Sequence, residues 1–196
     1  MAEERLWFVD QTEAAGFVHP VWCGRDAKPH LLESGGSGLA LFDYDGDGDL
    51  DLYMVNGWRL DGTEVTEKGR DELYRNRGDG TFDAVTGPSG LGQTGWGTGV
   101  TVGDVDGDGD EDLYVVNFGR DLLYRNLGDG SFAAVEDGPS LDGWSAGALL
   151  FYADGDGDED LFVGGYVDST LESVLYAEPD LKWEGLDVMS GPFGME

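Results

Sequence analysis

Cysteine is almost missing from this sequence: Cys23 is the only one in 196 residues, so no disulfide can close within the chain. Histidine is nearly as scarce, and Cys23 with His19 and His30 cannot assemble a four-ligand zinc site. Basic side chains are few, since 11 Lys plus Arg face 41 Asp plus Glu for a formal net charge of -30. A surface of that sign repels polyphosphates, which excludes nucleic acid as a partner. No run approaches the roughly 20 apolar residues of a membrane-spanning helix, and Met1 to Phe8 lacks the apolar stretch of an export signal. The expectation is a chain without membrane insertion or a visible export address. Helical periodicity is also lacking, because the apolar runs are short, rich in Val, Leu, Tyr and Phe, and broken by glycine.

What is abundant is glycine, 34 residues, and acid that is clustered rather than spread. Residues 43 to 51, 104 to 112 and 154 to 160 hold 16 of the 41 carboxylates. Clustered acid marks a cation site, whereas dispersed acid marks solubility.

The chain also repeats itself. Asp121-Leu-Leu-Tyr-Arg-Asn-Leu-Gly-Asp-Gly-Ser-Phe132 restates Asp71-Glu-Leu-Tyr-Arg-Asn-Arg-Gly-Asp-Gly-Thr-Phe82, and the acidic segments recur with it. A period of about 50 residues points to a repeat array. Each unit reads as strand, acidic loop, strand, link, strand, Gly-Asp-Gly turn, strand; for the second unit these fall near 97–103, 113–118, 121–126 and 131–135. Four short antiparallel strands in such a unit make one blade of a β-propeller. The sequence therefore divides into a closing strand and lead-in over 1–35, repeat 1 over 36–90, repeat 2 over 91–142, and repeat 3 with an irregular tail over 143–196. A polar insertion around Trp58 to Gly69 lengthens the first unit. Phe8 to Gly16 is similar to Phe82 to Gly90, so the chain is expected to open on the last strand of a blade. Three units are fewer than the about 4 to 8 blades of a closed propeller, and the expectation is a fragment, an open arc, or part of an oligomeric ring.

The acidic loops carry the chemistry. Asp43, Asp45, Asp47 and Asp51 stand at positions 1, 3, 5 and 9 with Gly48 at 6, and Asp49 at 7 is placed to give its main-chain carbonyl. Asp104, Asp106, Asp108, Gly109, Asp110 and Asp112 repeat the pattern. Oxygen ligands on a flexible loop select Ca2+ over zinc, copper or magnesium. The third loop, with Asp154, Asp156, Asp158 and Asp160, has Tyr152 where the first Asp belongs and is expected to bind weakly or through another ligand. An EF-hand is excluded, since position 12 is Met54 or Val115 instead of a bidentate Glu and the flanks are strand-like. Without that Glu the sites suit the millimolar calcium found outside cells.

At these residues the chain resembles the FG-GAP/VCBS repeat family, in which a DxDxDGxxD calcium loop joins two strands of a blade, as in integrin α-type propellers. Leu73-Tyr-Arg-Asn through Phe82, with Asp43 to Tyr53, is similar also to bacterial propeller proteins of the ASPIC/UnbV type, related to cartilage acidic protein. The resemblance runs from about Phe8 to Val167. It implies a secreted, periplasmic or cell-surface protein with calcium-braced blades that acts in adhesion or in binding an extracellular protein or polysaccharide.

Other motifs read as structure. Gly143-Trp-Ser145-Ala-Gly147 spells a hydrolase elbow but is followed by strand-like residues, with both histidines upstream. Gly90 to Gly95 has dinucleotide-loop spacing without a helix after it. Arg77-Gly78-Asp79 lies on a hairpin tip whose counterpart is Leu127-Gly-Asp, so turn chemistry accounts for it. Trp96 and Trp144 recur at one repeat position and read as packing between blades, with sugar stacking the alternative. Tyr74, Tyr124, Leu41, Leu52, Leu113 and Leu161 read as core. No basic or histidine cluster accompanies the carboxylates, so an enzyme is not expected. A lyase-like polysaccharide enzyme and a purely structural repeat are the alternatives to a binding module.

Overall fold

The computed structural model describes residues 8–28, 30–176, 181–183 and 186–188. Antiparallel strands dominate it. The first sheet has the order β1 (Leu39–Phe42), β2 (Asp51–Met54), β5 (Glu72–Asn76), β6 (Phe82–Ala84). Between β2 and β5 the expected polar insertion is itself a hairpin, β3 (Trp58–Asp61) and β4 (Glu64–Lys68), which turns at Gly62 and buries Leu60. The second unit runs β7 (Trp96–Gly103), β8 (Asp112–Phe118), β9 (Leu122–Asn126), β10 (Phe132–Ala134) in the same order. The third contributes β11 (Trp144–Phe151) and β12 (Asp160–Val167), joined to the second by a bridge between Trp144 and Phe118. A small separate hairpin, β13 (Leu181–Trp183) and β14 (Leu186–Val188), follows.

These are propeller-type blades standing side by side, and the described sheets form an open arc. The strand period explains the packing, because alternate side chains face opposite neighbours. Ala40, Phe42, Tyr53, Val55 and Leu73 of the first unit meet Leu113, Val115, Tyr124 and Phe132 of the second in one core. Both faces of β8 are covered, and all seven of its residues are buried. A second core at one end gathers Leu32, Leu60, Trp96, Phe118, Val174 and Leu175.

Three short helical turns, α1 (Leu31–Ser34), α2 (Thr86–Ser89) and α3 (Leu171–Leu175), punctuate the array. In α3 the Thr170 side chain accepts from the Ser173 amide, and Val174 and Leu175 turn into the end core. The lead-in differs from expectation: residues 11–17 form a turn, not a strand, with the Ala15 amide donating to the Gln11 carbonyl. The similarity to the close of unit 1 nevertheless holds in space. Gly16 lies against the Phe82 carbonyl as Gly90 lies against that of Phe132, and the approach leaves no room for a Cβ at either. Phe17 then packs on Tyr74 and Phe82. Leu113, Tyr74 and Tyr124 are core, as read from the sequence, and Leu52 and Leu161 are half-buried. Leu41 is not core: it is 54% exposed, because its side of β1 faces away from the second unit.

Candidate metal centre

Each acidic loop links the first two strands of a unit, so the antiparallel ladder fixes both of its ends. Phe42 pairs with Asp51, and Gly103 with Asp112. Inside the first loop the Asp43 carboxylate accepts from the Asp47 amide at 3.1 Å and the Gly48 amide at 2.9 Å. In the second, Asp104 accepts from the amides of Gly107, Asp108 and Gly109 at 2.8, 3.1 and 3.0 Å. Gly48 and Gly109 adopt φ of 92° and 96°, a left-handed turn that glycine tolerates without strain. The turn folds the loop back on its first carboxylate.

Position 9 anchors the loop to the blade. Buried Asp51 accepts from the Tyr44 amide at 3.2 Å and, from the third strand of its sheet, the Asn76 amide at 2.7 Å. Asp112 does the same with Val105 at 2.9 Å and Asn126 at 2.8 Å. Burial pushes the Asp51 carboxyl up to about 6, opposed by these amide bonds and assisted by the charges of Asp45 and Asp47; Asp112 is raised for like reasons.

Carboxylate oxygens of Asp43, Asp45 and Asp51 lie within 4.8 Å of one another, as do those of Asp104, Asp106 and Asp108. Asp47 lies on the first loop with its oxygen turned to the Asp49 amide at 2.9 Å. Asp49 and Asp110 turn away, their carboxylates lying against Gly78 and Gly128 at the Gly-Asp-Gly tips. The third loop places Asp160 like Asp51, accepting from the Ala153 amide at 2.8 Å, while Asp154 and Asp156 accept from the Asp156 and Asp158 amides. Among the described residues it brings no carboxylate triple together. Tyr152, in the place of the first Asp, is 65% exposed.

The two triples differ in counter-charge. Arg125 Nε stands 2.9 Å from Asp106 Oδ2, whereas its counterpart Arg75 turns to Asp83 at 3.4 Å. Among the described residues, no Lys or Arg pairs with Asp43, Asp45 or Asp51.

Two buried carboxylates outside the loops carry a second layer of order. Asp71 accepts from the Tyr53 hydroxyl at 2.8 Å, the Asn56 amide at 2.7 Å and the Gln93 amide group; Asp121 accepts from the Tyr114 hydroxyl at 3.2 Å, the Asn117 amide at 2.8 Å and the Ser145 hydroxyl at 2.9 Å. Both tie one unit to the lead-in of the next. Their recurrence at the head of the Leu-Tyr-Arg-Asn motif was the available signal. Ser145, of the elbow-like spelling, is fully buried on Asp121. Trp96 is buried 5.8 Å from Trp58, and Trp144 packs edge-on to Phe118 and Tyr166. At the hairpin tip Arg77 is held by Asp83, and Asp79 accepts from Thr81.

Fold and loops together define an array of propeller blades, each complete one bearing an acidic loop between its first two strands. The chain belongs to the FG-GAP-like repeat family, whose sequence pattern matches residues 43–115 and again 104–163. Each match runs from one acidic loop through the next and ends in the strand that follows it. No curated protein matches the chain significantly.

Proposed function

We propose that this chain is a calcium-braced, non-enzymatic binding module that works outside the cell. The observation that carries the reading is the pair of carboxylate triples, Asp43, Asp45, Asp51 and Asp104, Asp106, Asp108, on equivalent loops of consecutive blades. Their donors are all oxygen, the loops turn on glycine, and among the described residues no cationic side chain pairs with the first triple; a hard divalent cation suits such a set, and calcium suits a flexible one. Asp47 and the main-chain carbonyls of Asp49 and Asp110 are within the same loops and available to complete the shells. A bound ion would supply the charge that lets these carboxylates converge, and so stiffen the turn between the first two strands. The braced blades would then offer their surface to an extracellular protein or polysaccharide. The narrower likeness to ASPIC/UnbV-type proteins rests on the Leu73 to Phe82 motif and supports the same setting.

Calorimetric titration of calcium into chelator-stripped protein tests the reading. Two sites are expected in the parent chain and one in each of Asp45→Asn and Asp106→Asn, with magnesium giving weaker heats. Absence of binding at millimolar calcium would sink the proposal.

A further inference from the structure

The outer face of the third sheet has the composition of a blade-to-blade interface but, among the described residues, no blade against it. Aligning the units on Asp51, Asp112 and Asp160 makes Tyr53, Tyr114 and Phe162 equivalent. Tyr53, in the core shared with the unit that follows, and Tyr114 are both 0% exposed; Phe162 is 62% exposed. Phe42, which packs on Phe132 of the next unit, corresponds to Phe151, and Ala40 to Leu149. Leu149 and Phe162 are cross-strand partners, so with Phe151 they form one apolar patch on the open face. The glycines tell the same story. A Cβ on Gly38 would meet the Gly99 backbone at 2.7 Å, and one on Gly99 would come within 3.9 Å of Gly147, but one on Gly147 meets nothing.

At the other end of the arc the complementary face is also bare among the described residues. Val100, Val102, Leu113 and Val115 are the residues of unit 2 that receive unit 1. Their equivalents in unit 1 are Leu39, Leu41, Leu52 and Met54; Leu39 is 63% and Leu41 54% exposed, and the other two are half-buried. Beside them lies the lead-in, seated on Phe82 as the close of unit 1 is seated on Phe132. Its Phe8, at the repeat position of Phe82 and Phe132, is 97% exposed. One molecule thus carries both halves of the contact it makes twice internally.

We propose that the chain associates head to tail with a second copy of itself, the Leu149, Phe151, Phe162 face of one copy receiving the Leu39, Leu41 face and lead-in of the other. The contact continues the internal blade packing and does not depend on the calcium reading. It is heterologous, joining two different patches. Burying the patches must overcome repulsion between chains of net charge -30, which salt at about 0.15 M screens beyond roughly 8 Å.

Light scattering and analytical ultracentrifugation of the full chain at that salt, with calcium and with chelator, test the contact. A mass of twice the 21.1 kDa chain, or a larger multiple, is expected. Leu41→Asp and Phe162→Asp, both at exposed positions, should each return the chain to monomer with an unchanged circular dichroism spectrum. Mixing the two variants should restore a two-chain species, since each keeps the patch the other has lost. A monomer under both conditions at tens of micromolar overturns the proposal. So does a dimer that Leu41→Asp leaves intact, which would place one patch against its own copy.

Discussion

Among single residues, buried Asp71 is the clearest example of one set against its own charge. Burial, which outweighs the bonds from Gln93, Tyr53 and Asn56, holds its carboxyl up to about 7. A carboxyl whose pKa is higher folded than unfolded weakens the fold when ionised, and the cost begins to lift as pH falls through the folded value and is gone below the unfolded one. In chelator, stability should therefore rise from pH 8 to 5, with Asp71 contributing at most about 1.4 kcal/mol per pH unit. Denaturant melts across that range should show a flatter slope in Asp71→Asn, and equal slopes would dismiss the assignment. Arg125 offers a second test. Its guanidinium, half exposed, occupies Asp106 where a cation would sit. An exposed pair is worth up to about 1 kcal/mol, so Arg125→Gln should tighten calcium at the second site by about two- to fivefold in calorimetry, leaving the first site unchanged.

Elements are held together where their backbones meet. The first strands of the two complete units come close at Gly38 and Gly99, with a Cβ on Gly38 falling 2.7 Å from the Gly99 Cα. Backbone cannot give way as a flexible side chain does, so Gly38→Ala should cost about 1–3 kcal/mol, the range of overpacked sites. Gly36→Ala, where nothing lies within 4 Å, should change little. A thermal melt of the two variants would settle the comparison, and equal melting temperatures would mean that the blades slide apart at no cost. The β3–β4 hairpin adds a further clamp, with Trp58 packed on Trp96 and donating to the Thr94 carbonyl at 2.8 Å.

For the whole molecule, charge repulsion adds to the chain entropy that opposes folding. A net charge of -30 opposes compaction, and ions that bind only the folded state offset it by mass action. With calcium at a hundredfold over Kd each site adds about 2.7 kcal/mol; at about 2–4 °C per kcal/mol for a chain of this size, two sites should raise Tm by about 10–20 °C. Sodium chloride at equal ionic strength should do less, because it screens charge without joining carboxylates. A calcium melt indistinguishable from the salt control would remove calcium from any structural role.

The blade pattern and the two full loops were legible in the sequence because their causes are local. A Gly-rich turn with acid at alternate positions folds on its own few residues, and a strand shows its period of two wherever it lies. The Asp71 and Asp121 anchors were visible as repeats without a role, since the tyrosines, amides and Ser145 that use them come from distant segments. Leu41 read as core because it alternates like its neighbours; which face of a strand is covered depends on the adjoining unit, which the strand does not encode. For the same reason the turn in the lead-in, the hairpin at Trp58 and the α3 turn over the end core emerged only in three dimensions. The sequence by itself determined the units and their acidic loops, through short-range backbone chemistry. Tertiary structure alone decided which carboxylates converge and which apolar faces stay open, because the first depends on strands of the same sheet that are distant in sequence and the second on how one blade lies against the next.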